Sequence, residues 1–173
     1  MSLIGRSLPI QSPIQEHPVY LVNELQWITG HLKSMGNPHM YINQDDLAFF
    51  TIQNSHTSPW SFTGIPGSHS TQTMVKRDNL HLVAFPEPSS ADGFRPPMQS
   101  ATLILSLSMA IIRAKAPIMG EASVDNFLDY YKGRFVAFTN AKIHFLTDCA
   151  IKLPAELDIL YINREKILSY VGG

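Results

Sequence analysis

The chain has 173 residues, 45% of them hydrophobic and only 16% charged, with a formal net charge of −1. That is enough apolar material for a packed core, and it excludes the general basic surplus with which nucleic-acid-binding domains neutralise phosphate, leaving only a localised basic face open. The single cysteine, Cys149, excludes an internal disulfide, in keeping with a reducing compartment and a cytoplasmic location.

In chain order, residues 1–17 scatter Ile4, Pro9, Ile10, Pro13 and Ile14 among polar residues and read as an extended N-terminal arm, because proline is poorly tolerated inside helices and sheets. The arm has one arginine and no long apolar run, so it is not a secretory signal. Strands are expected at 19–22, 25–33, 39–42 and 47–52, where β-branched and aromatic residues concentrate, with Met35-Gly36-Asn37-Pro38 as a turn or bulge. Residues 54–70, rich in Ser, Gly and Pro, read as a loop, followed by strands at 74–75 and 80–85. Residues 86–97 hold four prolines and form the clearest linker, dividing the sequence almost in half. Beyond it, 101–112 favours a strand, with a helix as the alternative; at twelve residues it is too short to span a bilayer. Residues 125–132 read as a short helix or the lead-in to a strand. Strands are expected at 135–139 and 142–146 around Asn140-Ala141, then at 157–162 and 167–171 around a turn at 163–166.

The halves resemble each other. Met74-Val75-Lys76-Arg77-Asp78-Asn79-Leu80 aligns with Tyr161-Ile162-Asn163-Arg164-Glu165-Lys166-Ile167 at an offset of 87, and Gly30-x-Leu32-x-x-Met35 aligns with Gly133-x-Phe135-x-x-Phe138 at an offset of 103. The 54–70 loop, without a counterpart in the second half, accounts for the difference. Such agreement points to an internal duplication, against the background that strand–turn–strand pieces draw on few residue types.

Each half is similar to the Sm-like small β-barrel. The resemblance rests on Gly30-His31-Leu32-Lys33-Ser34-Met35 and Gly133-Arg134-Phe135-Val136-Ala137-Phe138, which echo the family's bent second strand. It rests also on Val75-Lys76-Arg77-Asp78-Asn79-Leu80 and Ile162-Asn163-Arg164-Glu165-Lys166-Ile167, which echo its closing hairpin. It implies a mostly β chain of two tandem SH3/Sm-like barrels: an arm (1–17), a first barrel (18–85), a linker (86–97) and a second barrel (98–173). It also implies ring assembly and RNA binding. The departures weaken the second: the hairpin arginine falls on Lys76 and Asn163, its glycine on Arg77 and Arg164, and no Asn occupies the base-contacting position of either copy.

No catalytic constellation is legible. The seven histidines form no H-E-x-x-H or Cys/His cluster, so neither a metal nor another cofactor is expected. Asp45-Asp46 suits a turn, Gly64-Ile65-Pro66-Gly67-Ser68 lacks the lysine of a phosphate loop, no G-x-S-x-G occurs, and Cys149 suits a buried thiol. Trp60, Phe62 and Phe94 fall in expected loops, where aromatics cap a barrel end, stack on bases or anchor a partner. The low charge fits either an oligomer with buried subunit faces or a neutral monomer rich in small polar residues. The leading expectation is a non-enzymatic, homo-oligomeric assembly or scaffold protein joined through strand edges. The alternative is an RNA-binding module that meets phosphate with Lys76, Arg77 and Arg164, with His39 beside them. No membrane partner is expected.

Overall fold

A computed structural model describes residues 13–60, 64–86, 94–95, 97–147, 153–154 and 156–173. The first twelve residues of the expected arm, most of the linker (87–93 and 96), Phe62 and Cys149 lie outside the described residues. The chain is mostly β. Ten strands, β1 (Ile14–Asn23), β2 (Gln26–Met35), β3 (Phe49–Pro59), β4 (Ser68–Lys76), β5 (Leu80–Ala84), β6 (Gln99–Ser106), β7 (Ala110–Ile118), β8 (Phe135–Phe145), β9 (Glu156–Asn163) and β10 (Ser169–Gly172), are joined by two one-turn helices, α1 (Pro38–Tyr41) and α2 (Phe127–Tyr130), and by 3-10 turns at Arg77–Asn79 and Arg164–Lys166. They form one open antiparallel sheet in the order β10-β6-β7-β8-β9-β5-β1-β2-β3-β4. Among the described residues no helix is long and apolar enough to cross a membrane.

The period-2 pattern explains most strands. In β7, Ala110, Ile112, Ala114 and Ala116 are buried while Ile111, Arg113 and Lys115 face outward. Several segments differ from the sequence reading. Residues 38–41 are helical, because Asn37 caps the helix by accepting from the His39 amide at 2.8 Å and Pro38 supplies a preset first-turn φ. The apolar run 101–112 is a hairpin, not one strand. It turns at Leu107–Met109 without glycine or proline, held by the Leu107 amide on the Ala110 carbonyl at 2.9 Å. Much of the expected 54–70 loop is strand, since β3 runs to Pro59 and β4 starts at Ser68. Strand β1 begins at Ile14, inside the expected arm.

Two tandem barrels were expected; the structure holds two five-stranded units of a single sheet. Their internal orders, β5-β1-β2-β3-β4 and β10-β6-β7-β8-β9, are the same. So is their register. Val22↔Trp27 corresponds to Ser106↔Ile111, Phe50↔Val75 to Val136↔Ile162, and Leu21↔Val83 to Leu105↔Tyr170. Each unit has one register shift between its second and third strands, opposite a positive-φ asparagine: Asn54 at 47° and Asn140 at 51°. This corrects the Gly30–Gly133 alignment. Gly30 lies in a second strand, whereas Gly133 precedes a third. It also turns the expected strand pair around Asn140 into one bulged strand, β8.

The units bury two cores. One gathers Leu21, Ile28, Leu32, Phe50, Ile52 and Val83; the other gathers Leu103, Leu105, Ile112, Phe127, Val136 and Phe138. The strands between them serve both: Leu82 and Ala84 of β5 enter the second core while Val83 enters the first. Trp27 packs edge-on to Trp60 and Phe145, with ring centroids 5.4 and 4.8 Å away. Trp60, expected in a loop, is thus a core residue whose indole N–H donates to the Asn23 carbonyl at 3.2 Å.

Gly30 marks the tightest approach. A Cβ there would lie 2.7 Å from both the Gln53 carbonyl oxygen and the Ile52 Cγ2, where the β3 bulge leans on β2. Gly30→Ala is expected to destabilise the fold by about 1–3 kcal/mol, seen as a lower urea midpoint with an unchanged slope; an unchanged midpoint would refute the close packing.

Candidate functional site

Among the described residues the two units meet at one pair of strand edges. Strands β5 and β9 pair through Leu82↔Ile162, Val83↔Tyr161 and Ala84↔Leu160. Side chains reinforce this short ladder. Asn163, fully buried, donates to the Leu80 carbonyl at 2.9 Å and accepts from the Glu165 amide at 3.1 Å. Asn43 clasps the Phe135 peptide, donating to its carbonyl and accepting from its amide, both at 2.8 Å. Arg134 spans the junction, with Glu165 at 2.8 Å and Asp78 at 3.4 Å.

The four residues expected to meet nucleic acid take unequal places. Arg77 is 5% exposed; its guanidinium donates to the Gln44 carbonyl and its amide donates to the Ala48 carbonyl at 3.0 Å. Arg164 repeats the arrangement in the second unit, donating to the Tyr131 carbonyl at 2.5 Å, with its amide on the Arg134 carbonyl at 2.9 Å. Each arginine therefore latches its closing 3-10 turn to the connection before the third strand. Burial, and then the neighbouring Arg134, hold the Arg77 guanidinium below its ordinary range, against Asp78, Asp45 and Asp46. His39 turns to the junction: its Nδ1 lies 2.5 Å from the Tyr161 hydroxyl, and its ring packs near Phe85 and Phe94. Burial, and then Tyr131, push the Tyr161 hydroxyl far above its usual range, so the hydroxyl stays protonated beside His39. Lys76 alone of the four is exposed, at the end of the outer strand β4. The structure thus gathers Arg77 and His39 near the junction as internal contacts and leaves one exposed cation of the proposed RNA set.

The sequence reading missed Asn43, Arg134, Asn163 and Tyr161. The faint signal for Asn163 was a polar residue ending an otherwise apolar strand. The outer edges complete the site. Strands β4 and β10 end the sheet with no further strand beside them among the described residues, and Met74, Leu168 and Val171 are 54%, 71% and 60% exposed there.

Asn163→Ala is expected to cost about 1–3 kcal/mol by leaving the buried Leu80 carbonyl unmet. Lys76→Ala, at the matching position of the outer strand, is expected to leave monomer stability unchanged; denaturant titration of both variants decides.

His81 of β5 gives the junction a pH dependence. It is 2% exposed, its Nε2 is 3.4 Å from Glu24, and burial and then Lys166 lower its pKa below 6.5 against the pull of Glu24. The unfolded chain therefore takes up the proton more readily than the folded one, so this stability is complete above pH 6.5 and is lost as pH falls below it. His17, lowered by burial, adds in the same direction. Thermal melts from pH 8 to 5 should show a falling midpoint below about 6.5, flattened in His81→Gln; a midpoint indifferent to pH would refute it. No family model, no curated protein and no solved structure matches the chain.

Proposed function

We propose that the chain is a non-enzymatic assembly protein in which two tandem Sm-like units, already joined edge to edge within one molecule, join further copies in the same manner. The observation that carries this reading is the repetition of register from one unit to the other, up to the two unused edges. β9 of the second unit is the counterpart of β4, and β5 of the first is the counterpart of β10. Carrying the internal junction over to those edges sets Val75 against Ser169, Met74 against Tyr170 and Thr73 against Val171 of the next copy. The exposed apolar side chains Met74, Leu168 and Val171 would then be covered. Such a contact is head-to-tail, and it yields rings where the rotation closes and filaments where it does not. Unprotected strand edges favour this use, because their unpaired N–H and C=O groups are a template for another strand.

The test is light scattering and sedimentation of the full chain over a range of concentrations. Oligomers are expected that revert to monomers in Met74→Asp and in Val171→Asp, each of which places a charge on one edge. A strict monomer at high concentration, or oligomers indifferent to both substitutions, would overturn the proposal.

A further inference from the structure

The outer face of the second unit carries a cluster of cations that the fold does not require. On β7, Arg113 and Lys115 alternate with buried Ile112, Ala114 and Ala116 and so share one face. Lys142 of β8 stands directly opposite Arg113, and Thr102 of β6 directly opposite Lys115. The bulge at Asn140 falls between the Arg113–Lys142 and Lys115–Thr139 pairings and places an exposed amide beside them. Together Thr102, Arg113, Ala114, Lys115, Asn140 and Lys142 wall a cavity of about 190 Å³. Every polar side chain in that wall offers a hydrogen-bond donor, and no carboxylate lines it. Lys142 pairs with Glu156, its cross-strand neighbour on β9, at 2.5 Å, whereas among the described residues Arg113 and Lys115 take part in no ion pair. Asp158 lies in the adjoining hollow with Lys115 and Asn140.

The first unit supplies an internal control. Its bulge at Asn54 has the same register, with Thr29 in the place of Arg113, His31 in that of Lys115 and His56 in that of Lys142. The bulge therefore forms without cations. Like charges directly opposite one another on neighbouring strands destabilise a sheet; Arg113 faces Lys142 in this way, and Glu156 offsets only the lysine. We infer that this cavity binds the phosphate group of a small molecule, held by Arg113 and Lys115 with Lys142, Asn140 and Thr102 around it. Arginine gives a phosphate a forked pair of donors, and lysine adds a point charge. The cavity itself has no aromatic wall on which a base would stack, Phe94 lying in the adjoining hollow, and Glu156 and Asp158 fence its β9 side against an extended polyanion. Both features favour one small phosphate over a nucleic-acid strand.

The experiment is a titration of the isotopically labelled full chain with inorganic phosphate and with glycerol phosphate, at constant ionic strength, read by amide chemical shifts. Saturable shifts are expected at 102, 113–115 and 140–142, and not at 29–31 or 54–56. The double variant Arg113→Ala, Lys115→Ala should weaken binding about tenfold or more while being no less stable than the parent without ligand. Tighter binding of the ester would name a phosphorylated metabolite as the source and equal binding would name free phosphate; both support the site. Shifts reproduced by chloride, an affinity unchanged in the double variant, or a variant destabilised without ligand would overturn it. Tighter binding of a uridine oligonucleotide, lost in the same variant, would overturn it in favour of a nucleic-acid surface.

Discussion

The pairing of β5 with β9 is the constraint from which the rest of the molecule follows. β5 is five residues long and buried along its whole length, hydrogen-bonded to β1 on one side and to β9 on the other. Its alternate side chains feed different cores, so neither core is complete without it. A strand in that position can carry no charge that is not neutralised locally, and the residues around it obey this: Asn163, Asn43 and Arg134 all meet partners across the junction. The two units are thus bound by shared apolar burial, with the polar contacts fixing register and orientation.

Seen from this junction, the arginines at the closing turns change character. Their spacing marks them as equivalent, and their charge invites a role toward phosphate. The structure spends both on backbone carbonyls. Gln44 and Tyr131, the acceptors, each precede their arginine by 33 residues. A guanidinium that holds a backbone carbonyl from a preceding connection acts as a brace between the two segments. Cations without an ion pair among the described residues stand elsewhere, at Arg113 and Lys115 on the face of β7.

Strand content was readable because alternation and β-branched residues report burial on one face directly. Turns were readable where glycine and proline make them, and unreadable at Leu107–Met109, where an apolar run folds back on a backbone hydrogen bond alone. The helix at Pro38–Tyr41 was marked by Asn37-Pro38, a cap and first-turn pair that also suits an ordinary turn. The repeat was visible at Arg77 and Arg164 and misread at Gly30 and Gly133, because a glycine among apolar residues recurs in unrelated strands. Asn54 and Asn140 carried the better signal. Asparagine is uncommon inside strands and tolerates positive φ, so two of them in matching runs mark matching bulges. The junction residues were beyond reach, since Asn43 and Phe135 meet across 92 positions with no local pattern to announce it.

The placement of the indoles has a practical consequence. The chain has two tryptophans, and both sit within the second core although both belong to the first unit. Neither reports on the core of the unit that supplies it. Intrinsic fluorescence of this protein is therefore a gauge of docking: its emission follows the engagement of Trp27 and Trp60 with Phe145, and a first unit that stayed folded but undocked would register as a change.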